Sequence, residues 1–78
     1  MKKILVFGGF GFLGHYLVNE LLNRSYEVTV ADIHENKEFA SKITYVKCDI
    51  TSKENVENVF KNKQFDIVYN LAGFANLD

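Results

Sequence analysis

Apolar runs and amphipathic segments alternate along the chain. Continuous runs rich in strand-forming residues predict buried strands. There are four such runs, at 4–7, 27–31, 44–47 and 65–71. The more polar segments between them show the spacing of helices or are too short to classify. The pattern therefore predicts strands joined by helices and links, the alternation typical of α/β proteins.

Two segments have helical spacing. The first is predicted from Leu13 to about Arg24. Its apolar positions are Leu13, Tyr16, Leu17, Leu21 and Leu22. The second begins at Thr51-Ser52-Lys53-Glu54, which has the form of a capping box with Thr51 as the cap. Between the second and third strands, residues 34–43 leave room for a single helical turn.

The order of elements predicts a Rossmann-type α/β fold with a parallel sheet and right-handed crossovers. If the fourth strand returns beside the first, the strand order is 3-2-1-4 and a ligand site opens between strands one and four. The apolar fourth strand would then be a bare sheet edge, which proteins seldom leave open. We therefore expect residues 1–78 to be the front half of a doubly wound domain in a longer chain, or to pair with a partner.

Composition narrows the class of protein. A net charge of −1, with basic residues spread thinly, predicts no nucleic-acid partner. No segment reaches the roughly 20 apolar residues that cross a bilayer, so no membrane partner is expected. A single cysteine, Cys48, excludes an internal disulfide and suits a cytoplasmic location. No His and Cys spacing indicates a metal site.

The stretch "FGGFGFLG", residues 7–14, lies between the first strand and the first helix. Its glycines fit two spacings, one beginning at Gly8 and one at Gly9, and both run through Gly11 and Gly14. In this position glycines permit a tight turn, the close approach of a diphosphate, and helix-to-strand packing. We expect the backbone N–H groups of residues 12 and 13 to face the phosphates and their side chains to enter the core. A turn that binds no ligand is the alternative.

Two acids follow successive strands. Asp32 ends the second strand, where a carboxylate can accept hydrogen bonds from both ribose hydroxyls and repel a 2′-phosphate. It therefore favours NAD over NADP, a preference that Lys37 and His34 would soften. Asp49 follows the third strand and is a candidate for the adenine amino group, with Ile50 against the ring. The alternatives are a solvated strand end for Asp32 and a residue leading into the second helix for Asp49.

Three segments carry a resemblance to a known family. They are "ILVFGGFGFLGHYLVNELL", "VKCDITSKENV" and "FDIVYNLAGFANLD". Together they resemble the extended short-chain dehydrogenases/reductases, the NAD-dependent epimerase/dehydratase group that acts largely on nucleotide sugars. The resemblance implies an NAD-binding segment whose full chain exchanges hydride with a sugar carbon. It also implies a nucleotide-sugar substrate, and a homodimer is one assembly open to the full chain.

The family's glycine spacing selects Gly8 as the first glycine. Position by position, the resemblance assigns cofactor contacts to Gly8, Gly11, Phe12, Leu13, Gly14, Asp32, Ile33, Asp49, Ile50, Leu71, Ala72 and Gly73. The first five lie at the diphosphate, the next four at the adenosine, and the last three pass under the nicotinamide side. Two residues depart from the family pattern: Phe7 replaces Thr or Ser, and Phe10 replaces a small residue. A phenyl ring at position 10 is expected to crowd the site.

The family's hydride chemistry needs a tyrosine with a lysine four residues later. None of the four tyrosines in this chain has that lysine, so no residue is assigned a catalytic role and the segment alone should be inactive. Two other functions stay open. One is a non-catalytic NAD(H)-binding sensor or scaffold, and the other is part of an S-adenosylmethionine-dependent methyltransferase. Phe7 and Leu13 count against the methyltransferase.

Overall fold

The computed structural model describes residues 1–35, 39 and 41–72. Their regular elements are β1 (Lys3–Phe7), α1 (Phe12–Asn23), β2 (Glu27–Asp32), β3 (Thr44–Lys47), α2 (Lys53–Phe60) and β4 (Ile67–Asn70). All strand pairs are parallel, and the sheet order is β3-β2-β1-β4. The predicted Rossmann-type order is therefore confirmed.

The two helices cover opposite faces of the sheet. Successive side chains of a strand point to opposite faces, so β1 sends Ile4 and Val6 toward α1, and Leu5 and Phe7 toward α2. All four are buried, the first three completely. This double burial explains why β1 is a continuous apolar run rather than an alternating one.

The predicted apolar stripe of α1 is confirmed at Leu21 and at the half-buried Leu17 and Leu22, and is wrong at Leu13 and Tyr16. The buried residues of the helix are Gly14, Val18 and Leu21, whereas Leu13 is 57% exposed and Tyr16 is 62% exposed. Gly14 packs its backbone directly on the glycine turn, and this contact sets the rotation of the helix. The burial of Gly14 could not be predicted from the apolar pattern, because glycine carries no hydrophobic signal.

The predicted cap of α2 was also wrong by one residue. Ser52 is the N-cap, and its hydroxyl accepts the backbone N–H of Asn55 at 3.2 Å. Thr51 instead donates both its N–H and its hydroxyl to one carboxylate oxygen of Asp49, at 2.9 and 2.6 Å. A carboxylate is a stronger acceptor than the alternatives nearby, so Asp49 captures Thr51 and the helix starts one residue later.

The strand β4 lies at one edge of the sheet, as predicted, but it is shorter than the run 65–71. Its residues alternate between half-buried and exposed, and Val68 is 45% exposed. The backbone N–H of Leu71 still bonds to the carbonyl of Phe7 at 2.9 Å beyond the end of the strand. None of the helices in the described part of the chain is long and apolar enough to span a bilayer.

Candidate functional site

A pocket of about 400 Å³ opens at the carboxyl ends of the strands. This is the edge of a parallel sheet at which α/β proteins bind ligands. The pocket is lined by Phe7, Gly8, Phe10, Gly11, Ala31, Asp32, Ile33, His34, Cys48, Asp49, Ile50, Leu71 and Ala72. Its lining is mostly apolar, with two carboxylates as the principal polar groups.

The pocket brings together most of the residues predicted from the sequence. The lining includes Gly8, Gly11, Asp32, Ile33, Asp49, Ile50, Leu71 and Ala72. The remaining residues of the glycine segment, Phe12, Leu13 and Gly14, form the first turn of α1 beside it. Gly73 lies outside the described residues, as does Lys37.

The glycine turn is shaped by two close approaches of backbone to backbone. Gly8 has φ +77°, and a Cβ there would lie 2.8 Å from the backbone nitrogen of Ala72. A Cβ on Gly14 would lie 2.6 Å from the carbonyl oxygen of Gly8. Both distances are too short for a side chain, so these two glycines join the ends of β1, β4 and α1 into one compact turn.

Gly11 differs from these two glycines, because the space in front of it is open. Within the described part of the chain, the nearest atom to a Cβ there would be the carbonyl oxygen of Gly8, at 3.8 Å. Gly11 is the N-cap of α1, supplies no side-chain cap, and no acid follows in the first turn. The N–H groups at the start of a helix attract anions. The start of α1 therefore offers uncapped N–H groups to an anion. The open space in front of Gly11, here called the cradle, is space that a Cβ on this residue would enter.

Gly9 has a packing role that the sequence reading missed, since that reading left it a turn residue. Gly9 is buried, and a Cβ there would lie 2.7 Å from a methyl group of Val30 and 3.3 Å from one of Val18. Its small size lets the turn sit against β2 and α1. The sequence signals this role only by the presence of a glycine at position 9, which the spacing Gly8, Gly11 and Gly14 does not use.

Asp32 is half-buried and held in place from two sides. One carboxylate oxygen accepts the backbone N–H of Phe10 at 3.3 Å, and the other accepts that of His34 at 3.0 Å. The hydroxyl of Tyr45 donates to its backbone carbonyl at 3.0 Å. The carboxylate is thus an anchored acceptor at the pocket wall, and Tyr45 is a contact that the sequence reading missed.

Asp49 is oriented by its neighbours on α2. The amide oxygen of Asn55 accepts its backbone N–H at 3.0 Å. The hydrogen bonds from the Thr51 side chain and backbone lower the pKa of the Asp49 carboxyl. Asp49 therefore lines the pocket and also leads into α2, as one interpretation from the sequence had it, and its contact with the adenine amino group stays a prediction.

The pKa values of Cys48 and Tyr45 are both raised. Burial is the main cause of the raised pKa of the Cys48 thiol, with the charge of Asp49 adding to it. Burial also raises the pKa of the Tyr45 phenol, followed by the charges of Glu35 and Asp32. Cys48 is 4% exposed and packs with Leu5, Phe7 and Val59. The thiol thus belongs to the apolar floor of the pocket.

The two unusual phenylalanines both pack into the protein. Phe7 is 6% exposed, and its ring centroid lies 6.0 Å from that of Phe60. Phe10 is half-buried against the core on the α1 side, and its ring lies 5.7 Å from that of Tyr45. Between them, the N–H of Gly8 extends the β1–β2 hydrogen bonding to the carbonyl of Ala31 at 2.9 Å, and the N–H of Gly11 bonds to the carbonyl of Gly8 at 3.4 Å.

The side chains of Phe12 and Leu13 were predicted to enter the core, and this was wrong. Phe12 is 83% exposed and Leu13 is 57% exposed, and the Phe12 ring contacts Tyr16 edge-on at 5.3 Å. The reason is again the rotation of α1, which points Gly14 at the sheet and leaves residues 12 and 13 on the outer side. Only their backbone groups remain candidates for the site.

The donors and acceptors in the pocket suit an adenine dinucleotide. The uncapped helix start can accept a diphosphate, and the anchored Asp32 carboxylate can accept hydroxyl protons. Ile33 and Ile50 supply apolar surface near the two acids. The open space in front of Gly11, which none of the residues in the described ranges fills, is the observation that favours a ligand site over a plain glycine turn.

Comparison with known proteins agrees with this geometry. Residues 4–78 match the model of the NAD dependent epimerase/dehydratase family. A bifunctional UDP-glucose 4-epimerase and UDP-xylose 4-epimerase of Arabidopsis thaliana is 33% identical over 86 aligned residues, covering 92% of this chain and 24% of the relative.

Two solved structures were determined with NAD. UDP-glucose 4-epimerase of Thermus thermophilus superposes with a TM-score of 0.79 at 32% identity, over 90% of this chain and 24% of that one. The dTDP-glucose 4,6-dehydratase of Bacillus anthracis gives 0.74 at 26% identity, over 92% and 27%. The chain thus spans about a quarter of the length of these proteins. Because the family model matches nearly all of it, this chain belongs to the NAD-dependent epimerase/dehydratase family.

Proposed function

We propose that the pocket at the carboxyl edge of the sheet binds NAD. The start of α1 carries this proposal. Gly11 supplies no side-chain cap to the first N–H groups of the helix, and the space in front of it is open, so a diphosphate can accept those N–H groups. The NAD-bound relatives of similar fold support it. When bound, the nicotinamide ring accepts and returns a hydride.

In this proposal, each part of the dinucleotide contacts a different set of residues. Gly8, Gly11 and Gly14 form the turn at the diphosphate, and the backbone N–H groups of Phe12 and Leu13 donate to it. Asp32 accepts from the ribose hydroxyls of the adenosine. Around the adenine lie Ile33, Asp49 and Ile50, and the nicotinamide side lies over Leu71, Ala72 and Gly73.

NAD is preferred over NADP in this proposal. A 2′-phosphate would bring its negative charge next to Asp32, whose carboxylate is anchored and cannot move aside. The lining of the pocket contains no lysine or arginine among the described residues. The ribose of NAD, in contrast, presents two hydroxyl donors to an acceptor that is already in place.

The whole protein acts on a nucleotide sugar in this proposal. The relatives named above include epimerases and a dehydratase of such sugars. Residues 1–78 form the front half of the dinucleotide-binding domain, and the rest of a longer chain supplies the sugar site and the catalytic Tyr-x-x-x-Lys. The location is cytoplasmic, as the single cysteine suggests.

A non-catalytic NAD(H) sensor or scaffold is the second candidate. None of the tyrosines in residues 1–78 is followed by lysine at the fourth position, so this segment fits both candidates and the sequence beyond residue 78 distinguishes them. A Tyr-x-x-x-Lys downstream of residue 78 in the complete protein would exclude it. Membership of the epimerase/dehydratase family counts against the methyltransferase alternative.

Calorimetric titration of the intact protein with NAD, NADP and S-adenosylmethionine tests the proposal. We expect NAD to bind most tightly. The Asp32→Asn variant should weaken NAD by about tenfold, because each lost hydrogen bond to a charged acceptor accounts for a factor of that order.

Asp66→Asn is a matched control for that variant. The carboxylate of Asp66 also accepts a backbone N–H, that of Lys3 at 2.7 Å, but it lies at the opposite edge of the sheet. This variant should bind NAD as the wild type does. Tighter binding of S-adenosylmethionine than NAD, or equal losses in the two variants, would refute the assignment of the pocket.

A further inference from the structure

The two carboxylates of the pocket are held by the protein in different ways. Each oxygen of Asp32 accepts one backbone N–H, from Phe10 on one side and from His34 on the other. At Asp49 a single oxygen, Oδ1, accepts both the N–H and the hydroxyl of Thr51, at 2.9 and 2.6 Å. Among the described residues, no group donates a hydrogen bond to its other oxygen, Oδ2.

The remaining acceptor capacity of Asp49 is therefore concentrated in one oxygen. A carboxylate oxygen has about two lone-pair sites, so the donors that it already holds limit what it can accept from a ligand. The two donors of Thr51 fill Oδ1, and Oδ2 keeps its sites. Because Asp49 lines the pocket beside Ile50, a ligand bound there can form a hydrogen bond with Asp49 through Oδ2 only.

The orientation of Asp49 is set by the start of α2. The backbone N–H of Asp49 donates to the amide oxygen of Asn55 at 3.0 Å, and Asn55 in turn donates its own N–H to the Ser52 cap. Both bonds from Thr51 end on a charged acceptor, which makes them stronger than neutral ones. The carboxylate cannot exchange its two oxygens without breaking both of these bonds.

We propose that Thr51 is a positioning residue that makes Asp49 select a purine with an exocyclic amino group over one with a carbonyl in its place. This rests on the proposed function, because it takes the pocket to hold the adenine of a dinucleotide. With Oδ1 filled, Oδ2 accepts one N–H of the amino group. Hypoxanthine has a carbonyl there, and two facing acceptors lose their water without gaining a hydrogen bond.

The hydroxyl of Thr51 matters because hypoxanthine also carries an N–H on the ring nitrogen beside its carbonyl. A carboxylate that is free to turn can accept this N–H with one oxygen and move the other away from the carbonyl. The bonds from Thr51 to Oδ1 oppose that turn. Loss of the hydroxyl should therefore weaken the discrimination between the two purines.

The test measures the affinities of NAD and of nicotinamide hypoxanthine dinucleotide for the intact protein by calorimetry. Their ratio is not changed by a general loss of stability, since both ligands need the same folded pocket. The wild type should prefer NAD by about tenfold, the effect of one hydrogen bond to a charged group. Thr51→Val should reduce this preference by about threefold, because the backbone bond remains, and Thr51→Ser should retain it.

Two further variants complete the design. Ser52→Ala removes the cap of α2 and leaves the bonds from Thr51 to Asp49 in place, so it should lower stability without changing the ratio. Asn55→Ala removes the acceptor of the Asp49 N–H. It should reduce the preference for NAD as Thr51→Val does, so it carries the test if the valine variant does not fold.

The outcomes separate this inference from the proposed function. If the wild type prefers NAD and neither Thr51→Val nor Asn55→Ala reduces that preference, the role of Thr51 is wrong and the NAD site stands. Equal affinities for the two dinucleotides in the wild type, or equal changes of the ratio in Ser52→Ala and Thr51→Val, would also overturn the inference alone. If the wild type binds neither dinucleotide, both proposals fail.

Discussion

The two helices of this protein begin in opposite ways. Ser52 caps α2 by accepting the N–H of Asn55, and Glu54 adds a negative charge in the first turn. Gly11 caps α1 with no side chain, and no acid follows it. The first helix opens on the pocket, and the second lies behind it. A side chain of the protein therefore caps the start of α2, whereas no side chain caps the start of α1, which is where we propose that the diphosphate binds.

Gly14 and Gly11 both lie at the start of α1, but they have different roles there. At Gly14 the missing side chain lets protein pack on protein, while at Gly11 it leaves space that the protein does not use. A substitution of Gly14 should therefore lower the stability of the fold, and a substitution of Gly11 should weaken ligand binding. Each of the four predictions that follow changes the start of one of the two helices.

The largest effect is expected for Gly14→Ala. Alanine is the better helix former by about 1 kcal/mol, but its Cβ would lie 2.6 Å from the carbonyl of Gly8 and 2.7 Å from the backbone of Gly9. Backbone atoms cannot move aside cheaply, so the clash should outweigh the propensity. We expect a net loss of about 3 kcal/mol in the free energy of unfolding, measured by urea denaturation.

Gly11→Ala is the control for that variant. Its nearest neighbour is the carbonyl of Gly8 at 3.8 Å, which is an ordinary contact. The stability should fall by less than about 1 kcal/mol. Comparable losses at the two positions would show that the turn does not pack as described.

The next effect is expected for Ser52→Ala, which removes the cap from α2. The N–H of Asn55 loses its acceptor, and the free energy of unfolding should fall by about 1 kcal/mol. The measurement is again urea denaturation. NAD affinity should not change, because Ser52 is not part of the pocket lining.

Gly11→Ser makes the reciprocal change at α1. It adds a side-chain cap where there is none, so stability should rise by about 0.3 kcal/mol. Its side chain would fill the cradle, and NAD should bind more than tenfold more weakly. If this variant keeps full NAD affinity, the start of α1 does not hold the diphosphate.

The smallest effect is expected for Thr51→Val, which keeps the shape of the side chain and removes the hydroxyl that donates to Asp49. The pKa of the Asp49 carboxyl is lowered in the folded protein, so its contribution to stability is present above the ordinary pKa and is lost as pH falls through the lowered one. In the variant this pKa should rise toward its ordinary value. Carbon NMR of the Asp49 carboxyl between pH 2 and 6 measures it.

A control for this titration is Thr44→Val in β3, which removes an exposed hydroxyl far from Asp49. The pKa of Asp49 should be the same in this variant as in the wild type. If Thr51→Val also leaves it unchanged, then the hydrogen bond from the hydroxyl does not lower it. The acid-induced loss of stability should be smaller in Thr51→Val than in the wild type.

Much of the fold could be predicted because the signals were local. The apolar runs located all four strands, and the alternation with helices indicated the parallel order that the sheet shows. The errors lay at helix starts. Thr51 fits the capping-box pattern with Glu54, whereas Ser52 does not, because Asn55 lies three residues after it. In the structure the N–H and hydroxyl of Thr51 instead donate to Asp49, and Ser52 caps the helix.

Some residues of the candidate site could likewise be predicted from the sequence, and others could not. The glycines and the two acids could be named from their positions after strands, because parallel strands end at one edge. Tyr45, Asn55 and Gly9 could not, since their roles depend on contacts with Asp32, Asp49 and Val30, which come from other elements. Phe10 was expected only to crowd the pocket, and its partner Tyr45 was not foreseen.

By itself the sequence determined the order of the elements, the edge where the site lies, and which residue types meet there, because periodicity and strand ends are properties of short segments. Only the tertiary structure decided how α1 is rotated, which glycine faces open space, and which donors hold Asp32. These depend on distances between segments far apart in the chain. A glycine that packs and a glycine that leaves room for a ligand are the same letter until the backbone around them is in place.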